Sequence, residues 1–317
     1  MKRLFPITMI LALMLTLLAG CGNTGGTAGS GAAATTAATT AVPTTAAPAT
    51  PAGMLMQVSQ NMNGLKNFDY AMNVDMAMSM NVMGTSQDLT MTIKSDGTVV
   101  PDPNNMLSHA VMNMTTSLSS LVPDTTVETY MKQSGDQLIT YTNAGGAWTA
   151  ASVDMNAADM TSQVNMSDSF LGGITADTQV VSGGAQTVNG VSTTKYDVTL
   201  PSSYWKNFKG FTSDVFSGDS VTDDMLNSML SSLGDLTYTC YVDSSNHVVR
   251  IEMDMKNFMT QAMNAAMAAS SDTSELDITV DISKCNLTMD MTNYGTAAAI
   301  VIPQEALDAS TAADAAA

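Results

Sequence analysis

The stretch Met72-Asn73-Val74-Asp75-Met76-Ala77-Met78-Ser79-Met80-Asn81-Val82 sets an apolar side chain against a small or polar one at every step. That two-residue period belongs to a strand with one dry face and one wet face. After Gly84 the pattern resumes, with Leu89, Met91 and Ile93 facing in and Thr90, Thr92 and Lys94 facing out. The pair predicts a hairpin.

Working outward, further strands are expected at Val127 to Met131, Gln137 to Thr142, Ala147 to Ser152, Thr187 to Leu200, Leu236 to Val242, His247 to Lys256 and Leu276 to Thr292. One wet face per strand implies an antiparallel sheet. Helical spacing occurs at Leu55, Val58, Met62 and Leu65, from Asn156 to Leu171, from Ser202 to Phe216, from Asp223 to Leu233, and at Met255, Met259, Met263 and Met267. Strands outnumber helices, and the helices fall between them in small groups. The expected class is α+β, a curved antiparallel sheet with helices against one face.

The N-terminus is not part of that domain. Lys2 and Arg3 precede an apolar run from Leu4 to Leu18, which is short for a membrane span of about 20 residues. Leu18-Ala19-Gly20-Cys21 matches a bacterial lipobox. By resemblance to lipoproteins, residues 1–20 form a signal peptide and Cys21 takes a thioether-linked diacylglycerol, which makes a membrane the first partner. The segment 21–53 is built almost wholly from Ala, Thr, Gly and Pro, without charge or apolar period, and reads as a disordered tether. The folded domain is expected over 54–308 and a disordered tail over 309–317. The location is extracytoplasmic, anchored to the outer face of the cell membrane; Gly22 rather than Asp after the cysteine leaves an outer membrane open where the cell has one.

The formal net charge is −18, so nucleic acid and anionic headgroups are repelled. Enzyme motifs are missing as well. The sequence has no Gly-x-Ser-x-Gly elbow, no His-Glu-x-x-His, no phosphate-cradling glycine loop and no Cys-His metal spacing, and His109 and His247 read as surface residues. No enzyme activity, cofactor or metal is expected, and the sequence names no protein partner.

Methionine is the oddity of composition, at 28 of 317 residues. Pairs such as Met76/Met78 place two thioethers on one strand face, as a Cu(I) site would want. They fall where the alternation already requires core residues, which favours packing over copper. Methionine is also unbranched and polarizable, and suits surfaces that accept varied ligands. Two readings therefore stay open for Met72, Val74, Met76, Met78, Met80, Leu89, Met91, Ile251, Met253, Leu287 and Met289: plain core, or the lining of a site for a lipid or other hydrophobic ligand. Cys240 and Cys285 are a candidate disulfide. A simple meander with a strand between them would hold them about 9.5 Å apart, beyond the reach of a bond, so the pair is equally read as two buried thiols.

Several stretches carry a resemblance to a known family: Tyr141 to Trp148 after the first hairpin, Val188-Asn189-Gly190 leading to Lys195-Tyr196-Asp197-Val198, Thr239 to Asp243 turning into Val248 to Ile251, and Asn293-Tyr294-Gly295 before Ile302-Pro303-Gln304-Glu305-Ala306-Leu307. With the lipobox and tether, this order resembles the LolA and LppX/LprG superfamily of lipoproteins over about residues 54 to 308. The resemblance implies a half-barrel with helices packed on its concave face around an apolar cavity, and a protein that binds or carries a lipid. The alternative is an envelope sensor or interaction module of the same fold with no transported cargo.

Overall fold

The computed structural model describes residues 50–82, 85–102, 105–118, 123–154, 170–202, 204, 234–269 and 278–309. They form one antiparallel sheet of eleven strands. The strands are β1 (Phe68–Val82), β2 (Thr85–Val100), β3 (Leu107–Thr116), β4 (Thr125–Ser134), β5 (Gln137–Ala144), β6 (Ala147–Asp154), β7 (Gln179–Val188), β8 (Val191–Leu200), β9 (Leu236–Asp243), β10 (Val248–Asp254) and β11 (Ile278–Thr292). Their spatial order is β6-β5-β4-β3-β2-β1-β11-β10-β9-β8-β7. Two meanders, β1 to β6 and β7 to β11, thus meet along a single seam between β1 and β11.

That seam runs from Asp69 opposite Thr292 to Val82 opposite Ile278. One bulge interrupts it, where Ala77 and Met78 face Lys284 and Ile282 and Ser283 is left over. The Ser283 hydroxyl donates to the Ala77 carbonyl at 3.1 Å, so the extra residue is bonded within the sheet.

Helix α1 (Pro51–Asn63) starts where local chemistry prescribes. The Thr50 hydroxyl accepts from the Gly53 N–H at 3.1 Å, and Pro51 occupies the first turn, where its missing donor costs nothing. Leu55, Val58 and Met62 are buried at helical spacing. Helix α2 (Lys256–Ala269) follows β10; the Asp254 carboxylate accepts from the Lys256 N–H at 2.8 Å, and Phe258, Met259 and Met263 are buried. A short helix α3 (Gln304–Leu307) lies near the end of the chain against β5 and β6.

Several expectations change here. The run Thr187 to Leu200 is not one strand but the end of β7, a two-residue turn, and β8. Asn189 and Gly190 both take positive φ, 51° and 81°, which gives the primed turn whose twist suits a tight hairpin. Tyr141 to Trp148 likewise straddles a hairpin, turned by Gly145 and Gly146 at φ of 75° and 93°. Strand β3 lies where the sequence reading placed only a polar stretch around His109. The helical readings over 156–171, 202–216 and 223–233 fall outside the described residues, apart from the helical pair Phe170 and Leu171 and the turn at Ser202 and Tyr204. Among the described residues the α+β class stands as a large sheet with few short helices.

Candidate functional site

The two faces of the sheet differ by one step along every strand. A single inward row crosses all eleven strands through paired residues: Ser182, Tyr196, Cys240, Ile251, Met289, Met72, Ser95, Met112, Val127, Ala144 and Ala147. It carries no charge. The neighbouring outward row pairs Lys195 with Tyr241, Tyr241 with Arg250, Arg250 with Asp290, Asp290 with Ala71, Ala71 with Asp96 and, through Val111, reaches Glu128. Because successive side chains point to opposite faces, the alternation seen in the sequence keeps the charged side chains of the described strands off the inward face.

The eleven residues singled out in the sequence all lie on the inward face, on the adjacent strands β10, β11, β1 and β2. Register brings Ile251, Met289 and Met72 side by side, then Met253, Leu287, Val74 and Ile93, then Cys285, Met76 and Met91, then Ile282, Met78 and Leu89, with Met80 beyond. Their environments differ. Met76, Met78, Met80, Leu89, Met91, Ile251, Met253, Leu287 and Met289 are buried, whereas Met72 and Val74 are half-buried although Met289, opposite Met72, is 1% exposed and Ile93, opposite Val74, is 4% exposed. Both lie on β1, the middle strand of the sheet.

Leu55, Val58 and Met62 of α1, the segment Phe170 to Ile174, and Phe258, Met259 and Met263 of α2 pack into the same apolar cluster as this face. Met112 and Met114 on β3 extend the face, and the reading of the sequence missed their strand. The signal was present as a Met-x-Met pair, but the small Ser108 and Ala110 on the inward side and Val111 on the outward side concealed the period. Tyr70 is also on this face, opposite Gly97. A Cβ at Gly97 would strike the Tyr70 ring and the His109 carbonyl, so the glycine is what lets the ring lie across β2. The Tyr70 hydroxyl is 3.5 Å from that of the buried Ser95.

No disulfide joins Cys240 and Cys285. Both are free and buried. β10 lies between their strands, and Cys240 reaches Met289 through Ile251, four residues along β11 from Cys285. The two Cα atoms are therefore further apart than two strand spacings, about 9.5 Å, and a bond between them is out of reach. Burial pushes both thiols up to about 12, so each behaves as a small apolar group.

The outward face is held by charge pairs. Arg250 forms two hydrogen bonds to Asp290, at 2.6 and 2.8 Å, and a third to Asn189. Thr239 and Lys195 both donate to Asp197, at 2.7 and 3.0 Å. At the β4 to β6 side a second, small apolar cluster forms from Tyr130, Tyr141 and Ala150, with Ile139 and Trp148 beside them. The C-terminal segment covers it with Ile300, Ile302 and Ala306. Asn67 ties that segment down, donating to the Ala297 carbonyl at 3.0 Å and accepting from its N–H at 3.2 Å. The two histidines, on β3 and at the turn between β9 and β10, have matching settings. His109 is stacked 4.3 Å from Tyr130 and 2.9 Å from Glu128; His247 is stacked 4.4 Å from Tyr294 and 3.5 Å from Asp243. Burial, followed by the hydrogen bond to Glu128, pushes the Tyr130 hydroxyl up to about 12.

A sheet of this size, with one face reserved for apolar contact, can be set beside proteins of known structure. The chain is similar to LprF and LppX. LprF from Mycobacterium bovis shares 17% identity over 80% of this chain and 96% of its own, with a TM-score of 0.41. Mycobacterium tuberculosis lipoprotein LppX shares 12% over 80% of this chain and 100% of its own, with a TM-score of 0.37. A domain from Vibrio parahaemolyticus described as an outer membrane lipoprotein-sorting protein is similar at 7% identity over 77% and 93% of the two chains, with a TM-score of 0.20. The model of a family of unknown function, DUF6612, matches residues 50–200, which run from the cap of α1 to the end of β8. No curated protein matches the sequence.

Proposed function

We propose that this chain is a lipid-anchored, extracytoplasmic protein that holds a lipid or other hydrophobic molecule against the inward face of its sheet. The observation that carries the reading is the uncharged row across all eleven strands, with Met72 and Val74 half-buried at its centre. An apolar side chain left partly open in the middle of a buried face is where an acyl chain gains most by leaving water, at about 25 cal/mol per Å². Methionines around it adapt to chains of different length without a fixed cavity shape. The sheet would curl as a half-barrel, with helices on its concave face closing over the ligand. The mechanism is partition rather than reaction. Cys21 and the tether that follows it, which ends at the Thr50 cap of α1 rather than at 53, would keep the domain at the membrane from which the ligand comes.

The second reading, an envelope sensor or interaction module without cargo, is supported by how fully the other nine lining residues are packed, none more than 9% exposed. The two separate on one experiment: native mass spectrometry of the full chain carrying Cys21→Ser, purified from a bacterial host, with organic extraction of what is bound. A stoichiometric co-purified lipid is expected. A clean apo mass that persists after incubation with phospholipid and glycolipid vesicles would defeat the carrier and leave the interaction module.

A further inference from the structure

The inward face lacks more than charge pairs; among the described strand residues it lacks any permanently charged side chain. Asp69, Asp75, Lys94, Asp96, His109, Glu128, Lys195, Asp197, Arg250, Glu252, Lys284 and Asp290 all pair within the outward rows. What can titrate on the inward face is neutral. Tyr70, Tyr196, Tyr238, Cys240 and Cys285 are the groups concerned, and burial raises the last four above their ordinary values. Among the described residues packed on the face, α1 has no ionisable residue, α2 has only the exposed Lys256, and Tyr204 and Tyr294 add two phenols, the second with its hydroxyl pushed up chiefly by burial. Elsewhere the chain is strongly acidic, at −18.

We infer that this face admits its ligand only in uncharged form: a neutral acylglycerol enters freely, and a fatty acid enters only with its proton. The inference rests on the reading of this face as a hydrophobic-ligand site. Among the described residues an ionised carboxylate placed there meets no cation, so it must stay in water or take up a proton. The acidic surface adds repulsion to any anion that approaches.

Proton uptake gives the claim a measurable slope. A free carboxylic acid titrates at roughly 4 to 5, so each pH unit above that range removes about nine-tenths of the competent form. For the full chain with Cys21→Ser, dissociation constants are measured for 1-monolauroylglycerol and lauric acid, matched in chain length, between pH 6 and pH 8. The acid is expected to weaken about tenfold per pH unit, roughly 100-fold in all, while the acylglycerol is unchanged. Met72→Lys, which places a cation at the half-buried centre of the face, should restore binding of the acid at pH 8. Equal affinity for acid and acylglycerol at pH 8 in the unsubstituted chain would overturn the inference and leave the hydrophobic site standing. Binding of neither ligand at any pH would overturn the site itself. The wild-type comparison does not depend on the variant's folding.

Discussion

Two apolar regions share this sheet, and they are closed in different ways. The inward cluster runs from β5 to β8, with Val180 of β7 beside it, and is built mostly from Met, Leu, Ile and Val, with Met72 and Val74 left half-buried. The outward cluster is confined to β4, β5 and β6 and is built on rings, with Tyr130 and Trp148 5.8 Å apart, and the chain's own residues Ile300, Ile302 and Ala306 cover it. Rings have few rotamers and directional contacts, and they suit a surface with one permanent occupant. Thioether and aliphatic chains repack at small cost and suit a surface whose occupant changes. On the proposed reading of the inward face, the comparison teaches that residue type, more than apolarity, separates a closed patch from an accommodating one.

The comparison breaks most sharply on charge. Met289→Lys puts an ammonium among Ile251 and Met72 and is expected to cost at least about 4 kcal/mol, whereas Thr288→Lys, one residue away and opposite Glu252, stays within about 0.5 kcal/mol. Urea unfolding midpoints of the two variants check this directly; similar losses would erase the distinction between the faces.

Next in size is the outward patch. Ending the chain after Thr296 removes Ile300, Ile302 and Ala306 and is expected to lower stability by about 2 to 3 kcal/mol, with a red shift in the emission of Trp148. Ligand binding on the other face should survive it. Asn67→Ala, which removes the two bonds to Ala297, should reproduce about 1 kcal/mol of the same loss.

The thiols give a kinetic readout of the inward face. Buried and held near 12, Cys240 and Cys285 should resist a disulfide reagent at pH 8 and react together only as the sheet opens. Rapid labelling of one alone would mean that its part of the face is open in the native state.

The smallest effect belongs to Asp197. Burial alone would raise its carboxyl, but the Thr239 hydroxyl and the Lys195 ammonium outweigh that and hold it below the ordinary range. A depressed carboxylate contributes stability above its unfolded value, near 3.9, and loses it as pH falls through the folded value. The stability difference between wild type and Asp197→Asn, followed by thermal melts, should therefore be small at pH 7 and vanish in acid.

Much of this was legible because the period-two signal is strong where both faces are extreme. β1 and β2 were read from Met72, Val74, Met76, Leu89 and Met91, and the residues expected to share a face do share it. β3 was hidden because its inward set, Ser108, Ala110, Met112 and Met114, is half small or polar and its outward set includes Val111. The division between β7 and β8 depends on positive φ at Asn189, a property of the turn and not of the apolar pattern. The order of strands was beyond sequence reasoning altogether. No local feature of β1 announces that its second neighbour is β11, whereas the local meander β9-β10-β11, which keeps Cys240 and Cys285 apart, is the arrangement the sequence reading weighed.

The seam between β1 and β11 also sets a timetable. The Asn293 to Asp69 hydrogen bond at one end of it joins residues 224 apart, and Ser283 reaches Ala77 across 206. Each meander can pair from local turns, but the seam requires closure of a loop nearly the length of the domain, the slowest kind of contact for a chain to find. A chain that emerges from its N-terminus therefore leaves β1 bare on one side until β11 arrives. The middle of the sheet, where Met72 and Val74 lie, is the last part to be assembled and the part that depends on nearly the whole chain being in place.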